Sequence, residues 1–311
     1  MTPATRVAYI AGAGRSGSTL LAMLLGAIPG CVSIGELRHI WRRGIQLNQL
    51  CGCGQTFRDC PFWSDVGDSA FGGWDNAPHA RMLDLQRRID RFRQLPRLAT
   101  MPVAPGVRRM VDEYAANTGR VYRAVAEVAQ AATVVDSSKS PTFAVILQRV
   151  PGIDPVVLHL IRDSRAVAHS WSRRRPMPEV VEGDAYMAIY GPARAAIDWA
   201  RSNVAIEAAG MAGVASTRLR YEALVRTAPQ ELARLRSTLG LTAAQASLLA
   251  APVVEVGVQH TVAGNPARFS GNQVQLRPDE EWKSSMTARD RRIVEGLTLP
   301  LLAAYGYRLR S

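Results

Sequence analysis

The chain has 311 residues, of which 47% are hydrophobic and 21% charged, enough apolar content for a sizeable core and too much for a disordered chain or a disulfide-stapled miniprotein. Its longest apolar run, Leu20 to Ile28, contains Gly26 and falls far short of the ~20 residues of a membrane span. The formal net charge of +12 implies anionic partners without choosing among nucleic acid, a phosphorylated cofactor and a membrane surface.

Only two of the 38 basic residues are lysines, Lys139 and Lys283, and the other 36 are arginines. The charge therefore informs mainly where arginines stand beside glycines at strand ends. Arg6 to Ala11 is a predicted strand. It runs straight into a Gly-rich turn with no cleavage site after it, which predicts a cytoplasmic protein. Ser18 to Ile28 reads as a helix stopped by Pro29 and Gly30, Cys31 to Ile34 as a second strand, and a helix opens near Glu36. From Cys51 to Gly73, glycines, cysteines and aromatics follow without period, an expected Cys-rich insertion loop at 51–73. Helices at 78–95 and 107–131, separated by Pro96, Pro102 and Pro105, make a helical insertion at 78–131. Ala132 to Val135 and Pro155 to Ile161 have the apolar, β-branched look of parallel strands covered on both faces. Helices are expected at 141–150, 164–174 and 184–209, a last strand at Ala215 to Leu219, and short helices thereafter around a Gly/Asn/Pro loop at 264–271. The alternation predicts an α/β fold, a P-loop-like doubly wound parallel sheet flanked by helices in a single domain over 1–311, with ligands beyond the carboxyl ends of the strands.

Three loops lie there. In Gly12-Ala13-Gly14-Arg15-Ser16-Gly17-Ser18-Thr19, glycines let the backbone approach an anion and the following helix offers free N–H groups. Gly12, Gly17 and Thr19 match G-x-x-x-x-G-K-[ST], but Ser18 stands in the place of the lysine. Gly12, Gly14 and Gly17 also match a dinucleotide G-x-G-x-x-G, with Glu36 near the distance of its acid, so a tight turn, a P-loop and a dinucleotide site stay open on spacing alone. The second loop follows Ile161: Arg162 offers a planar fork of donors to phosphate, and Ser170 lies two helical turns on. Asp163 reads as a helix cap and Arg173 to Arg175 as a solvated run. The third is Asp136-Ser137-Ser138-Lys139, a capping turn that ends on one of the two lysines.

Together these motifs resemble the sulfotransferase family that uses 3′-phosphoadenosine 5′-phosphosulfate (PAPS), in its bacterial, carbohydrate-sulfotransferase-like form. An R-S-G-S/T-T core, here Arg15 to Thr19, and a strand-end Arg with a Ser eight residues on, here Arg162 and Ser170, carry the resemblance. It extends to Asp136–Lys139, to Arg220-Tyr221-Glu222, and to the late loop from His260 to Phe269. The resemblance implies that Gly14, Arg15, Ser16, Gly17, Ser18 and Thr19 hold the 5′-phosphosulfate, that Arg162 and Ser170 hold the 3′-phosphate, and that Asn265 and Arg268 lie on the adenine or 3′-phosphate side. It also implies Arg15 as the stabiliser of leaving-group charge, Lys139 near the transferred group, and Glu36 as the base for the acceptor with His39 as competitor. The product would be 3′-phosphoadenosine 5′-phosphate (PAP), formed without a metal. His260 reads either as a loop-ordering residue or as a cofactor contact, and Lys283 beside Trp282 as helix packing.

The spacing of Cys51, Cys53 and Cys60 is not a paired C-x-x-C set and Cys31 falls in a strand, so no metal is assigned and reduced thiols are expected, with a disulfide left open. In the family a similar C-x-C-G…C-P-F-W insertion implies a loop at the acceptor entrance. The acceptor expected is a small molecule, glycan or lipid, in a cleft walled by Trp41, Trp63, Phe71, Trp74 and Met101. A P-loop kinase is the alternative. A nucleic-acid partner is not expected, since aromatics are only 6% and the arginines are scattered. Peripheral membrane contact and the oligomeric state stay open.

Overall fold

The central strand β1 (Thr5–Gly12) is wholly buried from Val7 to Ala11, as expected of a strand with neighbours on both edges and helices on both faces. The computed structural model describes residues 4–99, 104–180, 185–211, 213–242, 253–269 and 271–308. Strand β2 (Cys31–Gly35) lies at one edge, then β3 (Thr133–Lys139), β1, β4 (Ile153–Ile161) and β5 (Ser216–Arg220), in the order β2-β3-β1-β4-β5 with every pair parallel. Successive side chains alternate between two cores. Val7, Tyr9, Ala11, Val134 and Val157 face one, while Ala8, Ile10, Val135, Leu158 and Leu160 face the other. The sheet is thus doubly wound, and the strand before Glu36 does not neighbour β1, because β3 lies between them.

On the first face, α2 (Pro61–Phe71), α3 (His79–Ile89), α4 (Leu95–Ala99) and α5 (Pro105–Val128) share a core with the sheet. The expected loop at 51–73 is therefore a loop only as far as Cys60. From Pro61, which suits a first helical turn, the buried positions Trp63, Val66, Ala70 and Phe71 follow helical spacing. Those aromatics do not wall a cleft. Trp41, Trp63 and Trp74 are at most 6% exposed and Phe71 is 9% exposed; Phe57 stacks on Trp63 at 5.2 Å between ring centroids. Burying such large apolar surfaces outweighs any use as a platform. Met101 lies outside the described residues.

The second face is covered by α1 (Ser18–Gly26) and, beyond β5, by helices at Tyr221–Arg226 and Ala228–Leu239. Helix α6 (Pro141–Leu147) follows β3, and α7 (Ser164–Ser172) follows β4. Helix α8 (Pro192–Met211) begins later than the expected 184, a position outside the described residues; Pro192 again sets the first turn. After Glu36 the chain forms a 3₁₀ turn, Leu37–His39, and then a π-helical turn, Ile40–Gln46, not a regular helix. The C-terminal third departs most: Val253–Glu255 and Gln273–Gln275 pair antiparallel, and Ala288–Ala304 is one long helix, with Pro300 inside it, where short helices are expected. Lys283 is not packed but pairs with Glu280 at the surface at 3.0 Å. Among the described residues no helix is long and apolar enough to cross a membrane.

Candidate active site

The turn from β1 into α1 is shaped by two glycines. A Cβ on Gly14 would stand 2.8 Å from Cζ2 of Trp171, and one on Gly17 would enter the ring of Tyr221. Gly17 caps α1 at φ 91° with no side-chain hydrogen bond, which leaves first-turn N–H groups of the helix for a ligand. Between them Arg15 is held at φ 68°, a left-handed conformation that costs a residue with a Cβ about 1–2 kcal/mol. Its guanidinium lies 4.9 Å from the ring centroid of Trp171 and donates through NH2 to Met187 Sδ at 2.9 Å. Nε and NH1 are buried with no partner among the described residues, and so is Ser16 Oγ. Burial, with Arg175 close by, pulls the Arg15 group down to about 10.

At the end of β3, Asp136 Oδ1 accepts from Ser138 N at 2.8 Å, the capping turn expected of this sequence. Ser138 Oγ in turn accepts from Arg38 N at 3.0 Å, tying this turn to the one after β2. Lys139 leaves it at φ 67° and donates to Ser137 O at 2.9 Å and to the Glu36 carboxylate. His39 Nε2 stands 3.4 Å from the other Glu36 oxygen. Burial alone would raise the Glu36 carboxyl, but Lys139 and His39 together hold it well below the usual carboxylate range. Burial also lowers the imidazole of His39, against the pull of Glu36.

At the end of β4, Arg162 donates to the backbone carbonyl of Arg15 at 3.1 Å and to Asp279 at 2.8 Å, with its guanidinium carbon 4.4 Å from the centroid of the Tyr221 ring. Its Nε is buried and unpartnered. Asp163 caps α7 by accepting from Arg165 N at 2.9 Å. In the arginine run, Arg173 pairs with Glu281 at the surface, but Arg175 turns inward and leaves a buried Nε without a partner.

One cleft of ≈ 350 Å³ is lined by Gly14, Arg15, Gly17, Ser18, Thr19, Glu36, Lys139, Arg162, Ser170 and Asn265, all of them sequence-predicted. Glu36 reaches it across the end of β3, and Lys139 is what it meets there. Ser16 and His39 sit behind this lining. Arg268 is elsewhere: it donates to Thr261 O at 2.5 Å and to Leu50 O at 3.0 Å and braces its own loop. Asn265 accepts from Ala267 N at 3.0 Å and shapes the turn that brings Gly264 beside Glu36 and Thr19. Sequence reasoning missed Arg43, Arg175, Met187 and Asp279, which also line the cleft. Arg175 was masked by its surface-like run, and no motif marks the others. The spacing of the insertion's thiols, which is not a paired C-x-x-C set, assigns them no metal; the structure brings His260 to them from 200 residues away.

No protein-family model matches the chain and no curated protein matches it. Among solved structures, it is similar to the sulfotransferase domain of the olefin synthase of Synechococcus PCC 7002, at TM-score 0.56 and 21% identity over 100% of this chain and 98% of that one. It is also similar to the sulfotransferase domain of the curacin biosynthetic pathway, at TM-score 0.52 and 19% identity over 99% of both chains. At these identities the likeness is one of fold: the chain has the P-loop-like α/β fold of sulfotransferase domains.

Proposed function

We propose that the protein is a sulfotransferase that takes a sulfuryl group from PAPS and delivers it to a hydroxyl of a small-molecule, glycan or lipid acceptor. The observation that carries this reading is the set of buried guanidinium nitrogens on Arg15, Arg162 and Arg175 with no partner among the described residues, gathered with Lys139 around one cleft. Unmet donors inside a fold are costly, and a ligand with anions at two ends satisfies them. PAPS is such a ligand, and when bound it supplies an electrophilic sulfur and a phosphate leaving group. Arg15, with two free donors, would meet the charge that grows as the S–O bond breaks. Gly14, Gly17 and the first turn of α1 would cradle the 5′ side. Arg162, released from Asp279, would take the 3′-phosphate with Ser170. Glu36 would receive the acceptor's proton once Lys139 turns from it to the incoming anion, since a carboxylate pinned in an ion pair is a poor base.

The kinase alternative fares worse. Ser18 stands where a P-loop lysine would, and among the described residues the carboxylates that line the cleft, Glu36 and Asp279, are each paired with a cation. Thermal denaturation with PAP distinguishes the two. At about one hundred times its Kd, PAP should add about 2.7 kcal/mol of stability, with or without added Mg²⁺. Stabilisation by ATP that requires Mg²⁺, with none from PAP, would overturn the proposal.

A further inference from the structure

We propose that Cys51, Cys53, Cys60 and His260 bind one zinc ion, which fastens the insertion to the loop that closes the cleft. Three sulfurs and one ring nitrogen lie within 4.8 Å of one another. Cys60 Sγ is 3.2 Å and Cys51 Sγ 3.8 Å from His260 Nδ1, and Cys53 Sγ is 3.6 Å from Cys60 Sγ. A tetrahedral ion with bonds of about 2.3 Å to sulfur and about 2.0 Å to nitrogen separates its ligands by roughly 3.5–3.8 Å, so the groups already stand near the corners of such a site. All four cysteines of the chain are free, and a disulfide between any two of the three would leave the remaining sulfur and the imidazole without a purpose in common.

The surroundings suit a closed structural site. Cys51 and Cys60 are fully buried. The chain turns between the first two ligands with Gly54 N donating to Cys51 O at 2.9 Å, and Gly54 stands at φ 90° with nothing within 4 Å of a built Cβ, so its conformation, not crowding, calls for glycine. The ring of Phe62 stacks on His260 at 4.8 Å between centroids and 16° between planes, which fixes how the imidazole presents Nδ1. Three thiolates and a neutral imidazole around Zn²⁺ leave one negative charge. Arg268, buried alongside and bonded to Leu50 O on one side and Thr261 O on the other, is placed to offset it. Sulfur-rich ligation excludes Mg²⁺ and Ca²⁺, which take oxygen. With four protein ligands no open position remains for catalysis.

The site joins two parts of the chain 200 residues apart. Gly52 N donates to Thr261 O at 2.9 Å, and three residues past Thr261 is Gly264 in the wall of the cleft. Zinc binding should therefore order the loop that carries Gly264 and Asn265.

Metal content of the full chain, purified from cells without chelator, tests this directly and does not depend on any activity. Elemental analysis should give about one zinc per chain, and replacement by Co²⁺ should give the thiolate charge-transfer and visible bands of tetrahedral cobalt. His260→Ala and Cys53→Ser should each carry less than about a tenth of that zinc, while Cys31→Ser, whose residue lies in β2, should keep it. Wild-type protein with all thiols reduced that neither contains zinc nor takes up added Zn²⁺ or Co²⁺ would overturn the proposal. So would an iron centre or a disulfide in its place.

Discussion

Lys139 and Glu36, 103 residues apart in the chain, close an ion pair on the wall of the cleft. Each residue is fixed from behind, Lys139 by a left-handed backbone at the end of β3 and Glu36 by the bond from its own N–H to Ala263 O at 3.2 Å. If this carboxylate serves the acceptor, Glu36→Gln should lower turnover by about 100- to 10,000-fold and leave the Kd for PAP nearly unchanged. Equal retention of both would make the pair purely structural.

The same pair has a pH signature. Lys139 keeps the Glu36 carboxyl ionised to unusually low pH, so the acidic limb of kcat/KM in the wild type should lie below the ordinary carboxylate range of about 4.3. In Lys139→Ala that limb should move upward, because the depressing charge is gone while burial remains. A limb that stays in place would assign it to another group.

Arg15→Ala should slow turnover by about 100- to 1000-fold, the scale for loss of one preorganised charge stabiliser. Arg15→Gly separates chemistry from strain: glycine accepts φ 68° without a Cβ penalty, so this variant should melt no lower than Arg15→Ala and be just as slow. Near-normal turnover in either would pass the role to Lys139.

For the other end of the ligand, Arg162→Ala should weaken PAP by about 10- to 150-fold and adenosine 5′-phosphosulfate, which lacks the 3′-phosphate, much less. Asp279→Asn should do the opposite. It removes a half-exposed rival for Arg162, worth about 0.5–1 kcal/mol, and should tighten PAP about 2- to 5-fold by calorimetry.

Burial, opposed by donors from Ser138 and Tyr122, raises the Asp136 carboxyl to about 6. The folded protein then holds this proton more firmly than the unfolded chain, whose aspartates titrate near 3.9. This residue's contribution to stability is full below pH of about 4 and falls as pH rises to about 6. Urea midpoints of wild type and Asp136→Asn, compared at pH 4, 5 and 6.5, should show the wild type losing ground to the variant across that window.

How much of this could be read from the chain depended on the range of the signal. Strands such as Pro155 to Ile161 announce themselves because apolar, β-branched runs between turns have few alternatives, and the Gly14–Thr19 loop because glycines and hydroxyls at a strand end serve anions. Glu36, Lys139 and His39 each stand out in the sequence, but the pairing of Glu36 with Lys139 does not: β3 inserts between β1 and β2, an outcome of crossovers that no local pattern encodes. Arg268 went wrong for a related reason. An arginine in a glycine loop resembles a phosphate ligand until its two terminal nitrogens are seen to be engaged by the carbonyls of Thr261 and Leu50. His260 shows the limit most plainly, since its role depends on cysteines two hundred residues away.

The hydrogen bond from Arg162 to the carbonyl of Arg15 makes one arginine a strut of the loop that presents the other. An adenine nucleotide that lacks a 3′-phosphate would enter the glycine turn and leave Arg162 leaning on Asp279. The strut would then keep its resting set, and the Arg15 loop with it. If the donor is the one proposed, adenosine 5′-phosphosulfate should for this reason be turned over more slowly as well as bound more weakly.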